Sequence, residues 1–216
     1  MKKFDPNELL FSRDPRVSLA DVRGWIERQK QDDETVKVPL IKFIDHRLRG
    51  RFITPLQNVK PRNYRSGFLM MASACLLIEA LQAFREGKNT SAVGSEAAFT
   101  RFFEEHGKYF SGLRNCFPLV PEKNKKGKLV KKCTFYKHIR CGIFHQAEST
   151  GGYSIVRDKT GLFDTTEKSV NADKFLDEVE TCLDKYLNDL RASAVTLELW
   201  NKAAEKLTFI CDNFSL

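Results

Sequence analysis

Arg140 and His145 stand five positions apart in the run YKHIRCGIFHQAESTGG, residues 136–152. An imidazole moves protons near neutral pH, and a guanidinium holds a fixed positive charge behind a planar fork of donors. These are the two groups that RNA cleavage by its own 2′-hydroxyl asks for. That hydroxyl must lose a proton while negative charge gathers on phosphorus, and neither event needs a metal. Such a site distinguishes RNA from DNA, because the nucleophile is the 2′-hydroxyl itself.

Spacing decides what an ideal helix can do with these residues. Five residues turn through about 140°, so Arg140 approaches His145 only by its length, whereas His138 and His145, seven apart, fall within about 20°. Cys141 and Gly142 lie between the histidines on the same stripe. Gly142 costs a helix about 1 kcal/mol relative to Ala, which points to close approach by another helix, a second subunit or a ligand. Two other uses of these groups stay open. Arg140 could serve architecture alone, paired with a carboxylate such as Glu79 while His145 satisfies the helix end. Cys141 and His145 at i,i+4, with His138 or Glu148, are zinc-type ligands without an evident fourth.

The elements that must position these groups read as helices. SLADVRGWIERQKQDDE, residues 18–34, opens on a Ser cap and repeats Leu19, Val22, Trp25 and Ile26 at helical spacing. A second helix is predicted over Pro39 to Arg51, with Leu40, Phe43, Ile44 and Leu48 on one face and His46, Arg47, Arg49 and Arg51 on the other. Tyr64 to Glu86 is apolar on most sides and closed by Gly87, so it is expected at the centre of the core. Within it Glu79, in LLIEAL, either reaches solvent or meets a cation, because an unpaired buried carboxylate is costly. Ser95 to Phe110 presents Phe99, Phe102, Phe103 and Phe110 as a packing face.

PEKNKKGKLVKK, residues 121–132, holds six lysines around one glycine and is expected as an exposed, self-repelling loop. In GGYSIVRDKTGLFDTT, Tyr153 and Ile155 face Leu162 and Phe163 across DKTG, which predicts a two-stranded hairpin. Helices over Asn171 to Ala192 and Val195 to Phe214 close the chain.

Composition narrows the function classes. Hydrophobic residues at 42% and 17 phenylalanines supply a core, which excludes a disordered tail. Six cysteines without a CxxC pair argue against a zinc finger, a thioredoxin-type site or a disulfide framework. The opening MKKFDPNELL has no apolar h-region and no segment reads as membrane-spanning, so a cytoplasmic protein with no membrane partner is expected. A net charge of +8 favours polyanionic partners.

Arg140-Cys141-Gly142-Ile143-Phe144-His145 on a late helix resembles the R-x4–6-H signature of the HEPN superfamily. The frame PLIKFIDHRLRGRFITPL, GFLMMASACLLIEALQAFREG and FYKHIRCGIFHQAESTGGYSI, from Pro39 to Ile155, is similar to uncharacterised bacterial proteins of that group. The resemblance implies an all-α, HEPN-like helical bundle with a small β-hairpin after the RCGIFH helix. Residues 1–38 would then be a helical extension and 39–216 the HEPN-like domain. It further implies a homodimeric, metal-independent endoribonuclease in a bacterial setting such as phage defence or a toxin system. Arg140 would stabilise the phosphorane, His145 would act as general base or acid, and Glu79 would orient Arg140, leaving a 2′,3′-cyclic phosphate. Lys131, Lys132, Lys137 and His138 would contact single-stranded RNA, with no metal and no cofactor. Branches of the same superfamily act without catalysis, as dimerisation or binding modules for a protein partner or nucleotide.

Overall fold

The computed structural model of the chain describes residues 10–13, 16–57, 66–88, 95–123, 127, 129–157 and 161–214. Within them the protein is mostly helical, with short strands. It divides into two compact units, Met1–Arg51 with Ala80–Ser91 and Leu183–Leu216, and Phe52–Glu79 with Ala92–Cys182. The first helix is an integral part of the first unit.

In that unit strands β1 (Leu10–Arg13) and β2 (Arg16–Ser18) pair antiparallel and lead into α1 (Leu19–Lys30). Ser18 caps α1 reciprocally: its side chain accepts from the Asp21 amide, and Asp21 accepts from the Ser18 amide. After a single 3-10 turn comes α2 (Lys37–Phe52), which buries Leu40, Ile41, Phe43, Ile44 and Leu48. Two later helices supply the rest of this core. α8 (Ala172–Ala192) contributes Leu183, Tyr186, Leu187 and Leu190, and α9 (Glu198–Phe214) contributes Trp200, Ala203 and Leu207. α1 packs on α9, and the buried Gln29 amide donates to the Val195 carbonyl at 2.8 Å. Such bonding is what allows an amide to sit in an apolar interface.

The second unit is organised around phenylalanines. α3 (Thr54–Gln57) precedes α4 (Gly67–Glu86), of which the residues up to Glu79 belong to this unit and the rest to the first; the helix closes with Gly87 at φ +65° and the Lys88 amide donating to the Ala83 carbonyl, a left-handed closure of the kind expected. α5 runs only over Ser95–Glu105; its expected last turn unwinds at Gly107, yet Phe110 still packs 5.1 Å from Phe103. Phe135 stacks on Phe175 of α8 at 5.0 Å and meets Phe103 edge-on at 5.2 Å. Offset and edge-to-face packing of this kind favours one arrangement over a fluid cluster.

The expected lysine-rich loop is mostly hairpin. After α6 (Leu113–Cys116), strands β3 (Leu119–Lys123) and β4 (Leu129–Cys133) pair antiparallel from Leu119↔Cys133 to Lys123↔Leu129. Glu96 holds the far strand, accepting from the Cys133 amide at 2.9 Å and from Lys132 Nζ at 2.6 Å. Solvated strand faces accommodate lysines, so charge density alone does not make a loop.

The predicted two-stranded hairpin is also corrected. β5 (Ser154–Val156) and β6 (Phe163–Asp164) do not pair with each other. Both pair with β7 (Ser169–Asn171), β5 in parallel and β6 antiparallel, giving the order β5-β7-β6. β7 is buried throughout, as its central position in the sheet requires, and the sequence pattern did not assign a strand there. Most of the DKTG turn itself lies outside the described residues.

Among the described residues one helix, α4, is long and apolar enough to cross a membrane by length and composition, and 67% of its apolar window is buried inside the protein. That burial is the behaviour of a core helix.

Candidate active site

The helix that carries Arg140 and His145 is not a uniform α-helix. Residues Tyr136–Arg140 form a π turn and α7 (Cys141–Gln146) continues from it, with the Cys141 amide donating to the Tyr136 carbonyl. A π turn accommodates one extra residue and is frequent at functional sites. Because each residue then advances by less than the α-helical angle, the seven-residue alignment of His138 with His145 is lost.

Arg140 and Glu79 do meet. Arg140 Nε donates to Glu79 Oε1 at 2.8 Å, with 17% of the arginine side chain and 9% of the glutamate exposed. The guanidinium carbon also lies 4.7 Å from the Phe144 ring centroid and 5.6 Å from that of Tyr136. One carboxylate and two aromatic faces therefore fix its plane. Its two terminal nitrogens have no hydrogen-bond partner among the described residues. Burial works against the Arg140 charge, but the Glu79 hydrogen bond and charge outweigh it and raise its pKa. Cys75, one turn before Glu79, is pushed upward by burial and then by the Glu79 charge, so it stays a thiol.

His145 is exposed in the last turn of α7 and makes no hydrogen bond or ion pair among the described residues. His138 turns elsewhere: its Nδ1 lies 2.9 Å from Thr150 Oγ1, and its ring is 5.4 Å from Tyr153. Burial first, and Lys137 and Lys168 second, lower the His138 pKa, favouring the neutral ring. The structure thus joins Arg140 to Glu79, leaves His145 at the surface five residues later, and assigns His138 to the loop that follows. Lys137 is exposed, Lys132 is engaged by Glu96, and the Lys131 side chain lies outside the described residues.

Gly142 has a different explanation from those expected. The chain turns back at Ala147, whose φ is +53°, and a Cβ on Gly142 would collide with the Glu148 carbonyl and stand 3.3 Å from Ser149 Cα. Its own loop approaches the helix, so the glycine requires neither a second subunit nor a ligand. Gly151, at φ +68°, is constrained likewise: a Cβ there would stand 2.6 Å from His138 Nδ1.

The zinc-type set does not converge. Among the described residues no three His, Cys, Asp or Glu side chains come together as metal ligands. Sequence reasoning missed Tyr136 and Phe144, although four residues on either side of an arginine is the spacing at which helix neighbours meet. It also missed Arg157, whose Nε and Nη2 donate to the two Asp173 oxygens at 2.8 and 2.7 Å and which bonds Ser66 as well. Comparison of the chain with family models, with curated proteins and with solved structures gives no match.

Proposed function

We propose that the protein is a HEPN-like, metal-independent endoribonuclease that binds single-stranded RNA and acts as a homodimer in the cytoplasm of a bacterium, in phage defence or as a toxin. The observation that carries this reading is the mode of holding Arg140. Glu79 occupies Nε and leaves both terminal nitrogens as a fork for an anion, while His145 stands exposed five residues along the helix. In the reaction the 2′-oxygen gives its proton to an imidazole and bonds to phosphorus. The bond from phosphorus to the 5′-oxygen breaks, and that oxygen takes a proton from an imidazolium. The products are a 2′,3′-cyclic phosphate and a 5′-hydroxyl. Two protomers supply two imidazoles, one to take a proton and one to give it. Arg140 holds the charge on the phosphorane throughout.

The purified protein is expected to cut single-stranded RNA in EDTA, and His145→Ala to abolish the cutting without a change in far-UV CD. Full activity in His145→Ala would move the chemistry elsewhere.

A second reading, a non-catalytic dimerisation or protein-binding module, is favoured by apolar exposure. Leu69 and Leu76, seven apart on α4, are 58% and 38% exposed, and Phe144 beside Arg140 is 39% exposed. On that reading the protein forms an assembly that Leu69→Asp with Leu76→Asp disperses, and RNA stays intact.

A further inference from the structure

The first compact unit holds a cleft of about 400 Å³ between the last turn of α1 and the middle of α9. Asn201, Ala204, Glu205, Thr208 and Phe209 line it from α9, where steps of three and four residues put them on one face. Gln29 and Lys30 line it from α1. The volume is that of a small-molecule site, well beyond what a water or a metal ion fills.

Most polar groups in this cleft are engaged, and the exceptions share one character. Lys30 Nζ is held by Glu27 at 2.7 Å, and the Thr208 hydroxyl donates to the Ala204 carbonyl at 2.9 Å. Gln29 is 2% exposed; its amide nitrogen donates to the Val195 carbonyl at 2.8 Å and to Asn201 Oδ1 at 3.2 Å, but its side-chain oxygen accepts no hydrogen bond among the described residues. An acceptor buried in that way calls for an N–H or O–H. Glu205 makes no hydrogen bond or ion pair among the described residues either. It follows Asn201 by four residues, so its carboxylate and the Gln29 amide belong to neighbouring turns of the same face.

The carboxylate is also placed where negative charge is disfavoured. One Glu205 oxygen occupies the space that a Cβ on Gly87 would take, against the C-terminal end of α4. That end of a helix carries partial negative charge, so the acid meets a like potential rather than a compensating one. Neighbouring cations are committed elsewhere. Lys88 bonds Glu86, Lys202 bonds Glu198 at 2.6 Å, and the Arg85 guanidinium lies over the Tyr186 ring at 5.9 Å.

We propose that this cleft binds a small organic cation, a primary ammonium on a hydrocarbon body. The charge is met by Glu205 and the end of α4, an N–H by Gln29 Oε1, and the body by Ala204 and Phe209. A primary ammonium has three donors and no acceptor, which suits a site whose unengaged groups are acceptors. The proposal does not depend on the RNA reading, since Arg140 and Glu79 belong to the other compact unit.

The test titrates the full chain with hexylammonium chloride and, as a neutral isostere, 1-hexanol, by calorimetry and thermal shift. Hexylammonium is expected to bind in the millimolar range and raise the melting temperature, with 1-hexanol at least about tenfold weaker. Glu205→Gln, at an exposed position, is expected to weaken hexylammonium about tenfold or more and leave 1-hexanol unchanged. Glu178→Gln, which removes the same charge from α8, should leave both affinities as they are. Amide chemical-shift changes on hexylammonium binding should centre on Gln29, Asn201 and Glu205. Absence of hexylammonium binding, equal affinity for 1-hexanol, wild-type affinity in Glu205→Gln, an equal loss in Glu178→Gln, or shift changes centred elsewhere overturns the assignment.

Discussion

Arg140 Nε and Glu79 Oε1 are 2.8 Å apart, so a cation from the π turn and an acid from the core helix α4 hold each other at the edge of the apolar interior. Removing one partner leaves the other desolvated and alone, which costs about 3–5 kcal/mol for a buried pair. Arg140→Ala is therefore expected to lower the urea midpoint strongly. Arg140→Met with Glu79→Gln should recover most of the loss, because neither residue then buries a lone charge. A stability loss below about 1 kcal/mol in Arg140→Ala would show that the pair is solvated. Arg140→Lys is the better probe of catalysis, since it keeps the charge while losing the planar fork.

Gly142→Ala is expected to destabilise the fold by about 1–3 kcal/mol, since the added methyl meets the Glu148 carbonyl and the loop must move. The loss should be the same at every protein concentration, because the clash lies within one chain. A Gly142→Ala penalty that shrinks on dilution would instead place a second subunit against this helix. Chemical denaturation at two protein concentrations separates the two.

These two residues also show what could be read in the sequence. Glu79 is legible because an acid in LLIEAL demands a partner, and the only question is which cation arrives. Arg140 arrives by a π turn, which no periodicity announces, since that turn adds a residue to a pattern otherwise helical. The glycine at 142 announces a close approach but not its source, because a loop folding back leaves the same trace as a partner chain. Likewise Ile155 and Phe163 read as facing strands, and the strand that separates them, Ser169–Asn171, is too short and polar to signal itself. Long apolar repeats such as Phe175, Val179, Leu183 and Leu187 survive intact because burial along one helix is a local pattern.

His138 gives the fold a pH dependence of known sign. Its pKa in the folded protein is lowered by burial, Lys137 and Lys168, while in the unfolded chain it returns to about 6.5. The unfolded state therefore binds the proton more readily, so this contribution to stability is complete above the unfolded pKa and is lost as pH falls below it. Melting temperature is expected to decline on acidification from pH 8 toward pH 5, and His138→Gln to flatten the decline. An identical decline in the variant would assign it to other groups.

Cys141 follows Arg140 directly and is the only one of the six cysteines that is not buried. In native protein a thiol reagent should label one cysteine quickly and the rest only on unfolding, as burial blocks access to the other five. Cys141→Ser should remove the fast phase. Because Cys141 is the residue next to Arg140, an oligonucleotide seated on Arg140 is expected to slow its labelling, whereas one held elsewhere on the protein leaves it unchanged. Labelling at full rate in the presence of saturating 2′-deoxy oligonucleotide would separate nucleic-acid binding from Arg140, and with it the chemistry assigned to His145.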